Sequence, residues 1–107
     1  MPVSEIDVDA LAGLDTGSIQ LVDVREPDEF EQARVPGAVL IPLMTIPENL
    51  DRLDTSQPLY LICASGGRSM NAAEFLDQHG HDAVNIAGGT KGWIAAGHHV
   101  DSGPVDS

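Results

Sequence analysis

The chain has 107 residues, with five Lys and Arg against 17 Asp and Glu and a formal net charge of −12. That length holds one hydrophobic core and not two, and so acidic a surface repels nucleic acid and anionic membrane, so neither is expected as a partner. No run approaches the ~18 apolar residues of a spanning helix and residues 1–7 carry no leader-like pattern, so a cytoplasmic protein is expected. The single cysteine cannot close an internal disulfide, which fits a reducing compartment.

In chain order, Val3 to Ile6 reads as a short opening strand, with Asp7 or Asp9 placed to cap a first helix that runs through Leu14 and ends near Gly17. The apolar run from Ile19 to Val24 is a second strand. Pro27 behind it suits the first turn of a helix, where Glu26, Asp28 and Glu29 complement the helix dipole. Asp23 and Arg25, paired charges at a strand end, read as a structural ion pair that fixes a loop. Arg34 reads as a solvated surface arginine, the alternative being a rim cation that guides an anion. Val39 to Ile41 is a third short strand. Residues 42–58 hold three prolines and suit a loop with a short helix over 48–53.

Leu59 to Ile62 is continuously apolar, the pattern of a strand buried on both faces. It stops at Cys63. Ser65, Gly66 and Gly67 then let the backbone curl, and from Arg68 the period turns helical, with Ala72, Phe75, Leu76 and His79 on one face and Gly80 as the stop. Ala83 to Ala87 is the last strand. Gly88 and Gly89 form another strand-to-helix turn, placed to lie beside the Cys63 loop, and Trp93 behind it reads as a core anchor. His79, His81, His98 and His99 lack the partners and spacing of metal ligands and read as surface histidines. Residues 1–100 form the domain; Val100 to Ser107 is a patternless polar end, so 101–107 is expected to be a flexible tail. Strands separated by helical stretches predict an α/β fold, a mainly parallel central sheet with helices on both faces and ligands beyond the carboxyl ends of the strands.

The candidate site is the loop itself. A thiolate is the reactive form of cysteine, and the ordinary pKa of about 8.5 leaves Cys63 mostly protonated at neutral pH. Loop N–H groups, a helix start and a guanidinium all favour the charged form. Cys63 is therefore the candidate nucleophile and Arg68 the candidate oxyanion-binding or loop-shaping group. Ala64, Ser65, Gly66 and Gly67 supply the cradle, with the Ser65 hydroxyl as a further donor. The alternative is an inert buried cysteine, which the glycines, Arg68 and the strand-to-helix switch together outweigh.

The segment Cys63-Ala64-Ser65-Gly66-Gly67-Arg68-Ser69 resembles the active-site loop of single-domain rhodaneses. Asp23-Val24-Arg25-Glu26 with Glu29-Phe30, Pro36-Gly37-Ala38, and Gly88-Gly89 followed by Trp93 resemble further segments of that family, and the likeness spans about residues 4–100. One departure is visible: where the family carries a glycine and a histidine before the Pro-Gly-Ala, this chain has Ala33 and Arg34. The resemblance implies a cofactor-free sulfurtransferase. In it Cys63 takes a sulfane sulfur from a small sulfur-containing anion such as thiosulfate and passes it to cyanide, a cellular thiol or a protein sulfur acceptor. A sulfur relay or docking module is the second reading. A cysteine phosphatase is the third, disfavoured because those loops resemble Cys-x5-Arg whereas this one is Cys63-x4-Arg68.

Overall fold

The computed structural model describes residues 3–104, so the final part of the expected tail, 105–107, lies outside the described residues. Five strands form one sheet: β1 (Ser4–Asp7), β2 (Gln20–Asp23), β3 (Val39–Leu40), β4 (Leu59–Ile62) and β5 (Ala83–Ala87). Their spatial order is β1-β5-β4-β2-β3, and every pairing is parallel. The helices are α1 (Val8–Ala12), α2 (Pro27–Gln32), α3 (Gly67–Gln78) and α4 (Gly89–Ala95), joined by a 3-10 element over Leu43–Arg52. This is the α/β architecture expected from the alternation of elements.

β4 lies at the centre of the sheet, and its side chains explain why the run is apolar throughout. Leu59, Leu61 and Cys63 pack into one buried cluster with Ala72, Ala73 and Leu76 of α3 and Ile46 of the 3-10 element. Ile62 points the other way, into a cluster with Leu11 of α1, Ile86 of β5 and Trp93 of α4. Successive strand residues face opposite sides, so a strand covered on both must be apolar at every position. Each fully buried leucine here contributes about 1.5–3 kcal/mol relative to exposure. That rigid strand sets the position of Cys63.

The local chemistry of the helix starts follows the expected rules, with some differences in extent. The Asp7 carboxylate accepts from the Ala10 N–H at 2.8 Å, as an N-cap should. The helix stops at Ala12, however, with Gly13 as its C-cap and the Gly13 N–H shared between the carbonyls of Asp9 and Ala10. The proline-bearing link is more regular than expected. The 3-10 element runs over Leu43–Arg52 with a kink at Asn49, in place of a short helix over 48–53. Ile46 holds it to the core, and short 3-10 turns need few backbone bonds, so Pro47 is tolerated.

Two expectations, those for Arg34 and His81, are corrected. Arg34 is half-buried and engaged rather than a free surface cation: its guanidinium donates to the carbonyls of Phe30 at 3.2 Å and Gly103 at 2.9 Å, and lies 4.9 Å over the Phe30 ring. The backbones of Arg34 and Asp101 exchange two hydrogen bonds, and the Gly103 N–H donates to Glu31 at 2.8 Å. The end of the chain up to residue 104 is thereby bonded to α2 and the strand entry behind it, although its own sequence carries no pattern. His81 is buried, at 4% exposure, with Nδ1 unpartnered, and burial pushes its pKa down. It lies between the end of α3 and β5, where its N–H bonds the Leu76 carbonyl. His79 and His99 are exposed as expected. Trp93 is buried and donates its indole N–H to the His99 carbonyl at 2.7 Å, with the His98 ring packed at 4.7 Å.

Candidate active site

Cys63 follows the last residue of β4, where the strand's ladder ends and the chain must turn. The turn is made by Gly66, in the left-handed region at φ 115°, which serves as N-cap of α3. That turn directs the Gly66 N–H to the Cys63 Sγ at 3.1 Å. One turn into α3, the Ser69 hydroxyl donates to the same sulfur at 3.3 Å. Ser65, whose hydroxyl is expected to hold the outer sulfur of a persulfide, is exposed; the hydroxyl on Sγ itself is that of Ser69, wholly buried.

Electrostatics here run in two directions. Cys63 is 1% exposed, and burial pushes its thiol pKa up. The Ser69 hydroxyl and the N–H groups of Ser69, Gly66 and Ser65 oppose that push, and together they leave the pKa below the usual thiol value. Donors aimed at a sulfur stabilise charge on it, so the cradle favours thiolate.

Arg68, expected to bind an oxyanion or to shape the loop, is turned toward α2. Its guanidinium forms a fork on Glu29 of α2, at 2.8 and 2.9 Å. These bonds hold the Glu29 carboxyl at about 2, against an opposing push from burial. The same pair raises the pKa of Arg68, to which the charge on Cys63 also contributes. Arg68 thus closes the loop onto α2 while its charge still acts on the sulfur. Glu29 in turn accepts from the Glu26 N–H at 3.1 Å, which ties it to the start of its helix.

The expected Asp23–Arg25 ion pair is present and structural. The Arg25 Nε lies 3.0 and 3.1 Å from the two Asp23 oxygens, and its guanidinium also reaches the Ala33 carbonyl at 2.7 Å. Both residues are buried. The pair clamps the end of β2 to the end of α2, and so positions Glu29 for Arg68.

A second turn supports the loop from beneath. Gly88, N-cap of α4, and Gly89 are both left-handed, at φ 85° and 58°. A Cβ on Gly89 would stand 2.4 Å from the Cys63 carbonyl oxygen and 2.6 Å from the Ala64 carbonyl carbon. Only glycine permits that approach, and with it the Thr90 N–H bonds the Cys63 carbonyl at 2.8 Å and the Lys91 N–H bonds that of Ala64 at 3.0 Å. Asn85 of β5 adds a third tie, donating to the Gly66 carbonyl at 3.2 Å and to Glu5 at 2.9 Å. Ser69, Glu29 and Asn85 are the residues that sequence reasoning did not assign. Ser69 had a local signal, a hydroxyl in the first turn after the loop; the other two are brought in from distant elements.

The arrangement can present a sulfur anion at the end of a rigid strand, held by hydrogen-bond donors and beside a fixed positive charge. Comparison with known proteins gives the family of the chain. Residues 8–96 match the family model of the rhodanese-like domain. A protein named sulfurtransferase from Allochromatium vinosum is 35% identical over 98 residues, covering 89% of this chain and 92% of that one. YtwF of Bacillus subtilis is 41% identical over 75 residues, covering 70% and 73% of the two chains. Among solved structures, a rhodanese-like domain protein from Staphylococcus aureus matches with a TM-score of 0.83 at 36% identity, covering 94% of this chain and 98% of that one.

Proposed function

The chain belongs to the rhodanese-like family of sulfurtransferases, and from that premise we propose that Cys63 is its persulfide carrier. The Cys63 thiolate attacks the terminal sulfur of a sulfane donor such as thiosulfate. A new S–S bond forms to Cys63 while the donor's own S–S bond breaks, and its electron pair leaves with sulfite. An acceptor, cyanide or a thiolate, then attacks the outer sulfur. It departs with that atom as thiocyanate or as a new persulfide, and the Cys63 thiolate returns. No external oxidant or reductant enters the cycle.

The observation that carries this reading is the convergence of the Gly66 N–H and the Ser69 hydroxyl on Sγ, with the thiol pKa lowered despite burial. Preorganised donors of this kind stabilise the anionic sulfur at both ends of the cycle without reorganising. The 1% exposure of Cys63 requires a donor to present its sulfur end-on, which suits a small molecule with a terminal sulfane sulfur. The phosphatase alternative loses support from Arg68, because the guanidinium fork that a phosphoryl group would need is taken by Glu29.

Intact-protein mass spectrometry tests the proposal. After thiosulfate, the wild type is expected to gain one sulfur that cyanide removes as thiocyanate, whereas Cys63→Ser gains none and keeps its fold by circular dichroism. Mercaptopyruvate and a persulfidated carrier protein are run as parallel donors. Failure of all three to load the wild type, or loading of Cys63→Ser at another site, would overturn the assignment.

A further inference from the structure

Residues of the cysteine loop are held from two neighbouring elements. The N–H groups of Thr90 and Lys91 in α4 bond the carbonyls of Cys63 and Ala64, and the Asn85 amide of β5 bonds the carbonyl of Gly66. Gly66 is also the residue whose N–H donates to the Cys63 Sγ. Its N–H and its carbonyl are separated by two torsions, and without a Cβ both are soft. The freedom that lets glycine take φ 115° also lets its N–H drift, so the aim at the sulfur needs a hold from outside the loop.

Asn85 is placed to give that hold. The register sets it beside Glu5 of β1 and Leu61 of β4, on the sheet face that α3 covers. Both hydrogens of its Nδ2 are engaged, one on the Gly66 carbonyl at 3.2 Å and one on the Glu5 carboxylate at 2.9 Å. Turning the amide over would set its oxygen against both acceptors, so Glu5 fixes the way it points.

Stability does not account for an asparagine here. Asn85 is 1% exposed, and its Oδ1 is buried without a hydrogen-bond partner, which is destabilising. Its two acceptors do not depend on it for satisfaction. The Gly66 carbonyl also accepts from the Met70 N–H at 3.1 Å, and the Glu5 side chain is exposed. A leucine of similar size would remove the orphan oxygen and leave neither acceptor buried and unpaired. What the leucine would not keep is the tie on Gly66.

We propose that Glu5 and Asn85 are positioning residues for the reaction at Cys63. Glu5 orients the amide, the amide holds Gly66, and Gly66 keeps its N–H on the sulfur. The inference rests on the reading of Cys63 as the reacting sulfur and deepens it with two residues that act through a third. Neither touches the sulfur itself.

The test compares the wild-type chain with variants by three measurements: the pH midpoint of Cys63 alkylation by iodoacetamide, sulfur loading from thiosulfate at neutral pH, and urea denaturation. Asn85→Leu is expected to unfold at the same urea concentration as the wild type or higher. Its alkylation midpoint should nevertheless move up, and its loading should fall about two- to tenfold, the range for one lost hydrogen bond. Glu5 gives a second route through an exposed residue, where folding is not in question. Glu5→Gln and Glu5→Ala remove the same negative charge, which alone would move the midpoint down. Glu5→Ala also removes the acceptor that orients the amide, so its midpoint should lie above that of Glu5→Gln. An unmoved midpoint in Asn85→Leu, or equal midpoints in the two Glu5 variants, would overturn the positioning role while leaving the Cys63 persulfide standing. A wild type that loads no sulfur from any donor would remove the persulfide reading, and the alkylation midpoints would still decide whether the two residues set the thiolate.

Discussion

Two turns in this protein are built alike and do opposite things. After β4 and after β5 the chain passes through a left-handed glycine N-cap into a helix, at Gly66 and Gly88. In the first turn the N–H of Gly66 points at a side-chain sulfur. In the second, the N–H groups of Thr90 and Lys91 are spent on the carbonyls of Cys63 and Ala64. One turn forms the cradle; the other holds it in shape. The difference lies in what stands next to each: the β4 turn closes around the Cys63 sulfur, and the β5 turn lies against the backbone of the first. A similar local conformation therefore says little about role until the neighbouring strand is known.

The comparison predicts a separation of stability from chemistry. Gly89→Ala forces a Cβ to 2.4 Å from a backbone oxygen at φ 58°, so strain and overpacking add, for about 3 kcal/mol or more of lost stability. Gly66→Ala meets no atom closer than 3.6 Å and carries only the strain of its φ, about 1–2 kcal/mol, yet it moves the donor off the sulfur. Urea denaturation should rank Gly89→Ala as the less stable, and sulfur loading of folded protein should rank Gly66→Ala as the slower of the two per folded molecule. Equal stability losses would mean the second turn is not a buttress.

A smaller effect isolates the cradle from its support. Ser69→Ala removes the hydroxyl that lowers the Cys63 pKa, so the midpoint of iodoacetamide alkylation against pH should move up. Loading at neutral pH should fall about two- to tenfold, the range for a net hydrogen bond of 0.5–1.5 kcal/mol. An unmoved midpoint would assign the thiolate to the backbone donors alone.

The smallest effect is at the Arg68 fork. Glu29 is held at about 2, below its usual 4.5. A carboxylate with a depressed folded pKa stabilises fully above its unfolded value and loses that contribution as pH falls through the folded one. Glu29→Gln should therefore cost stability at neutral pH, about 1 kcal/mol or less because the pair is partly exposed. The gap to wild type should close between pH 4.5 and 2. Acid titration of the urea midpoint checks this, and a gap that persists at pH 2 would show that the fork acts by packing.

Much of this was readable before the fold was known. The five strands, the buried pair Asp23–Arg25, the core role of Trp93 and the curl at Gly66 all follow from period, turn residues and charge spacing. Arg34 was misread because Gly103, one of its partners, lies far away in the chain, and His81 because its burial depends on how α3 packs against β5. Local pattern carries neither the Gly103 contact nor the packing of α3 on the sheet.

The sequence by itself determined that a single cysteine would stand at the carboxyl end of a strand buried on both faces, before a glycine turn and a helix. Hydrophobic period and backbone sterics act over a few residues, and these features need nothing more. The tertiary structure alone decided that the Ser69 hydroxyl reaches the Cys63 sulfur, that Arg68 is held by Glu29, and that Gly89 supports the loop. Those outcomes depend on the strand order β1-β5-β4-β2-β3, which places β5 and β2 on either side of β4. Parallel pairing then brings the ends of three strands to one edge, and residues far apart in the chain meet around Cys63.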